Sequence, residues 1–356
     1  MTDPAPSMID WELAVRLGGR LAGDGPRIPP AEAAGCVAEL RADAEKSSQL
    51  VRDYTGLHAA DNTAPVLVVD RAGWVRANAD AFASISAPLV ESLQGHRAPT
   101  GLTRAIGSRV TGVEIGGMLG FLAGKVLGQF DPFHTVPASR DMPGEAGRLL
   151  LVAPNIVHVE QQLDVDPHDF RLWVCLHEET HRVQFTAVPW MRAHLRSEID
   201  AIVGSVRADP AEMIGEAVKR IAEGISGRGD VSLIELFASP EQRAIIDRVT
   251  GVMSLLEGHA DVVMDGVGPE VIPSVDRIRA RFNERRQGIG TLDRIMRRLL
   301  GLDRKMAQYR DGAVFVRECV DTVGMEGFNA VWASPENLPS TAEIHDPAAW
   351  MRRVHG

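Results

Sequence analysis

Nothing between Pro167 and Pro189 is a proline or a glycine, and this uninterrupted run constrains the fold more than any other stretch of the chain. Asp166 precedes Pro167, and Asp169 follows two residues later. An N-cap carboxylate, proline at the first helical position and an acid in the first turn together start a helix. The pattern predicts a helix from about Pro167 to about Thr186. Inside it lies His177-Glu178-Glu179-Thr180-His181, an HExxH motif. At 100° per residue the two histidines lie about 40° apart on the helix. Phe170, Trp173, Val174 and Gln184 share their side, and Arg171, Glu179 and Arg182 fall opposite. The histidines are therefore expected in the buried stripe, with the far side in water.

Two imidazoles four residues apart on one helix can converge on a zinc ion, and the glutamate beside the first is placed to take a proton from water. The competing reading is a pair of core histidines held by carbonyls, with Glu178 on the surface. Burying two histidines and a flanking acid without such a role is costly, which favours the metal. Cys175 points about 160° from His177 and is rejected as a ligand.

A catalytic zinc keeps three protein ligands and one open position. The best source of the third is the helical segment Met253–Asp265, MSLLEGHADVVMD. Glu257 and Asp261 are four apart on one flank of its apolar stripe. Glu257 is the expected ligand, and Asp261 the expected partner hydrogen-bonded to a ligating imidazole. His259, about 160° from Glu257, is the alternative ligand or else a core histidine. Gly258 would let another helix come close.

These two segments, LWVCLHEETHRVQFTAVPW (172–190) and SLLEGHADVVMD (254–265), resemble those of the type-2 zincin-like metallopeptidase family of bacterial proteins. The likeness extends to DWELAVRLGGRL (10–21), GFLAGKVLGQFD (120–131), LLLVAPNIV (149–157) and GMEGFNAVWASPENLP (324–338). The resemblance implies a zincin-type site with His177 and His181 as ligands, Glu178 as base and the EGHAD helix as source of the third ligand. The long gap from His181 to Glu257 holds helical patterns around 190–205, 210–226 and 240–250, and resembles a gluzincin arrangement with an inserted helical hairpin.

Helical patterns dominate elsewhere too, over Asp10–Leu21, Pro30–Thr55, 72–93, Leu102–Gln129, Asn155–Leu163, Val275–Gln287, Thr291–Leu302 and Asp303–Val323. Val66–Asp70 and Leu149–Ala153 read as strands, and the prolines at 132, 137 and 143 mark Phe130–Gly147 as irregular. The fold class expected is mainly α with a small β component: a zincin-like core with helical additions. The division expected is an N-terminal helical region (1–147) and a metal-site region (148–356) in one unit. LLLVA is placed to be the edge strand that pairs with an extended substrate.

A net charge of −10 and the lack of a dense Lys/Arg run disfavour nucleic acid. Three cysteines without a close pair suit a reducing compartment, and the N-terminus shows no signal peptide, so the expected location is cytoplasmic. Gly116, Gly120 and Gly124 form a small-residue stripe, but the uncharged run Ile115–Gly124 is far shorter than the roughly 20 residues of a membrane span. A tightly packed helix is expected there.

The chemistry expected is amide hydrolysis of a peptide or small-molecule substrate, with Zn2+ as cofactor and Glu178 as general base. Tyr309 is the candidate donor to the oxyanion, with His158 and His134 weaker candidates. The alternatives are an inactive metal-binding scaffold and a hydrolase of a non-peptide amide.

Overall fold

The computed structural model describes residues 8–59, 64–94, 102–136, 145–205, 239–287 and 302–356. A three-stranded sheet organises the first of two units, Met1–Ala187 with Val263–Gln287. Its strands are β1 (Val66–Val69), β2 (Gly128–Val136) and β3 (Glu145–Val152). β3 is the middle strand, parallel to β1 and antiparallel to β2. Its side chains alternate between two cores. Leu151 joins the core of α2 (Pro30–Thr55), α5 (Ala153–Leu163) and α6 (Pro167–Ala187). Leu150 and Val152 join the core of α1 (Trp11–Ala22), α3 (Arg71–Gln94) and α4 (Leu102–Ala123). A strand buried on both faces reads as an unbroken apolar run, and LLLV is one.

The mainly helical class with a small sheet is what the patterning predicts, with two corrections. The helix expected to reach Gln129 stops at Ala123, and the segment read as irregular contains β2. Pro132 is tolerated because it sits where the β2–β3 register shifts, between Asp131 and Thr135, so its missing N–H breaks no regular ladder bond. Asp131 Oδ1 accepts the Phe133 and His134 amides at 3.1 and 3.2 Å across this irregularity. The substrate-edge role expected of LLLVA fails as well, because β3 has strands on both sides.

The glycine stripe of α4 packs α1 rather than lipid. A Cβ on Gly112, Gly116 or Gly120 would fall 2.6, 2.7 or 2.8 Å from the backbone oxygens of Asp10, Ala14 and Gly18. Gly124 has no such neighbour, so the working stripe lies one turn earlier than expected. Among the described residues no helix is long and apolar enough to cross a membrane.

α6 starts as predicted: Asp166 Oδ1 accepts the Asp169 amide at 3.0 Å. Asp169 in turn accepts the Ser274 amide and hydroxyl at 2.9 and 2.6 Å, tying α6 to the start of α9 (Val275–Gln287). α8 (Pro240–Val271) is one long helix, where two helical stretches were read.

The second unit is Val188–Val262 with Gly288–Gly356. It contains α7 (Met191–Ser205), the first part of α8, α10 (Leu302–Phe328), α11 (Thr341–Ile344) and α12 (Pro347–His355). Phe315, Phe328 and Trp350 form an aromatic core there. Gly258 admits a neighbouring helix as expected: a Cβ there would strike the backbone of α10 at Gly312. The expected helix at 210–226 and most of Thr291–Leu302 lie outside the described residues.

Candidate metal centre

The side of α6 expected to face water is buried. Glu179 is 0 % exposed, and Arg182 donates to both its oxygens at 3.0 and 3.2 Å. Burial, opposed by Arg182 and Arg52, pushes the Glu179 carboxyl up to about 7. Arg171 is buried between Glu160, which it grips through two bonds of 2.6 and 3.0 Å, and Glu39. Polar residues on this side lie against α2 and α5 instead of solvent, because paired charges can be buried where single ones cannot. His177 and His181 are only half-buried, the reverse of the expected stripe.

The two imidazoles meet edge to face, with ring centroids 4.8 Å apart and an interplanar angle of 89°. His177 Nε2 and His181 Nε2 are 3.2 Å apart. On their far edges, His181 Nδ1 faces Gln184 Oε1 at 3.0 Å and His177 Nδ1 faces Met264 Sδ at 3.2 Å. Met264 lies on α8 seven residues after Glu257, which is two helical turns less about 20°, so the two side chains leave α8 on one face. The ligand atoms of His177, His181 and Glu257 all lie within 4.8 Å of one another.

These residues fit a zinc ion. Bonds of about 2.0–2.1 Å at tetrahedral angles set ligand atoms about 3.3 Å apart, and the two Nε2 atoms at 3.2 Å match that edge. Two nitrogens and a carboxylate oxygen are a donor set of catalytic zinc.

Glu178, 6 % exposed, lies against the first residue of β2. A Cβ on Gly128 would fall 2.6 Å from Glu178 Cγ and Cδ. Asp261 is half-buried one turn after Glu257. His259 is fully buried between Phe328 and Trp332, with ring centroids 5.6 and 5.3 Å away, and is a core histidine. Cys175 is fully buried and points to the Leu40 carbonyl at 3.7 Å, with burial holding its thiol well above the usual range. His158 is on α5, where burial and then Arg71, Arg285 and Lys125 lower its pKa. His134 is held by its backbone in the β2 irregularity. The Tyr309 side chain lies outside the described residues.

Sequence reasoning gave no role to Gln184, Met264 or Gly128. Gln184 could have been found, since position i+3 from a helical histidine lies within reach of its ring. Met264 and Gly128 act across the fold and leave no local signal.

The model of the zincin-like metallopeptidase family matches residues 9–351, nearly the whole chain. The chain belongs to that family. This zincin-like chain also resembles the crystal structure of a "putative hydrolase with a novel fold" from Chloroflexus aurantiacus. The two are 31% identical with a TM-score of 0.69, over 98% of this chain and 99% of the other. Among curated proteins nothing matches.

Proposed function

We propose that this chain is a zinc-dependent metallopeptidase with His177, His181 and Glu257 as ligands and Glu178 as general base. The observation that carries the reading is the convergence of those three ligand atoms within 4.8 Å. Family membership and a hydrolase-like relative support it.

Zinc in such a site supplies a Lewis acid that polarises a carbonyl and acidifies water. Glu178, the neighbour of a ligand in sequence, accepts the proton as water attacks and delivers it to the departing amine. Gly128 keeps that carboxylate in place by offering no side chain against it. Asp261 is proposed as the acid that orients a ligand. For an extended substrate backbone, β2 takes over the edge role first read for β3, because among the described residues β2 is one of the two outer strands and it begins beside Glu178.

Glu178→Gln tests the assignment. Zinc content stays at the wild-type level while turnover of a peptide library, run beside a panel of small amides, falls by about 10²–10⁴-fold. Unchanged turnover in the variant contradicts the role of Glu178. Cleavage of small amides alone contradicts a peptide substrate.

A further inference from the structure

Gln184 is 0 % exposed, and its side-chain oxygen faces His181 Nδ1 at 3.0 Å. The other nitrogen of that ring faces His177 Nε2 at 3.2 Å. His177 Nδ1 faces Met264 Sδ at 3.2 Å. A thioether sulfur accepts and cannot donate, so the Met264 contact favours a His177 proton on Nδ1, which makes Nε2 an acceptor.

His181 then has two possible neutral forms. With the proton on Nε2 it donates to His177 and needs an N–H at its Nδ1, which the Gln184 amide would supply only after exchanging its oxygen and nitrogen. With the proton on Nδ1 it donates to Gln184 Oε1, and both Nε2 atoms, 3.2 Å apart, keep their lone pairs. Only the second form offers two ligands to a cation. The partner of one ring nitrogen decides which nitrogen is free to bind metal. Imidazole in water favours the Nε2–H form, so a resident acceptor is needed to reverse the preference.

We propose that Gln184 is a positioning residue that holds His181 in the Nδ1–H form and so makes Nε2 its metal-facing atom. The inference rests on the metal-centre reading above and adds to it how the second histidine is kept ready.

Two measurements on the full chain test this. Nitrogen-15 NMR of metal-free protein at a pH of about 8, where an ordinary imidazole is neutral, reads the tautomer, with His181→Ala identifying the signals. Chelator-competition titration with zinc reads affinity. Wild type carries the His181 proton on Nδ1. Gln184→Met keeps the side-chain length, lacks the oxygen, moves the proton to Nε2 and weakens zinc binding by about 10–100-fold. Gln184→Glu restores an acceptor, the Nδ1–H form and affinity at least equal to wild type.

An Nε2–H form in wild type overturns the proposal, as does a Gln184→Met protein that matches wild type in either measurement. A wild type that takes up no zinc contradicts the functional reading instead, and the tautomer then decides this one alone.

Discussion

Gly128 shows how one missing methyl can fix the place of the proposed base, Glu178. The Cβ of alanine there would fall 2.6 Å from Glu178 Cγ and Cδ, closer than such atoms can approach, so the glutamate or the strand must move. Misplacing a reacting group by about 1 Å costs up to about 10²-fold in rate. Gly128→Ala is therefore expected to lower kcat by about 10–100-fold while zinc content, read by elemental analysis, stays at the wild-type level. Wild-type kcat would show that the carboxylate does not depend on this contact. At this scale the sequence was readable where chemistry follows from helical spacing. His177, His181 and Glu257 were singled out from four-residue spacing and a facing stripe, and their ligand atoms lie within 4.8 Å of one another. Gly128 was not, because its partner lies 50 residues away and on another element.

At the scale of elements, α6 shows why polar periodicity misleads. Arg171, Glu179 and Arg182 looked like a wet face, yet Glu179 is fully buried and Arg171 lies in a network with Glu160 and Glu39. Nothing in the spacing of α6 reveals that α2 and α5 bring partners to it. Breaking a buried pair strands the remaining charge, so Arg171→Ala should lower unfolding free energy by about 3–5 kcal/mol, measured by denaturant titration. A loss below about 1 kcal/mol would mean that the network is screened like a surface pair.

Asp43 on α2 adds a pH dependence. Burial, with Glu39 beside it, raises its carboxyl to about 6, and its Oδ2 is buried without a hydrogen-bond partner among the described residues. The folded state thus holds this proton more tightly than the unfolded chain does. Its stabilising contribution is complete below the ordinary value of 3.8 and is lost as pH rises through about 6. Asp43→Asn removes that loss. Its unfolding free energy relative to wild type should rise between a pH of about 4 and about 7, as followed by denaturant titration. A constant difference across that range would show that Asp43 titrates normally. The strand β2 was hidden at this scale for a related reason. The prolines at 132, 137 and 143 argued for a loop, and only pairing with β3 shows that Pro132 falls in the register shift.

For the whole molecule, the outline was legible: a long uninterrupted helix, a short apolar strand at LLLVA and a glycine stripe too short for a membrane each led to the observed element, though the strand proved central rather than an edge. What local pattern could not give was the pairing of distant segments, from Met264 on His177 to Gly112 on Asp10. The proposed metal centre is the sharpest instance, since its ligands come from α6 and α8 with residues 182–256 between them. Its most direct test is the zinc content of purified wild type, His181→Ala and Glu257→Ala by elemental analysis. About one equivalent in wild type, with loss in both variants, is predicted for a three-ligand site. Metal-free wild type, or a Glu257→Ala protein that keeps its zinc in full, would contradict it.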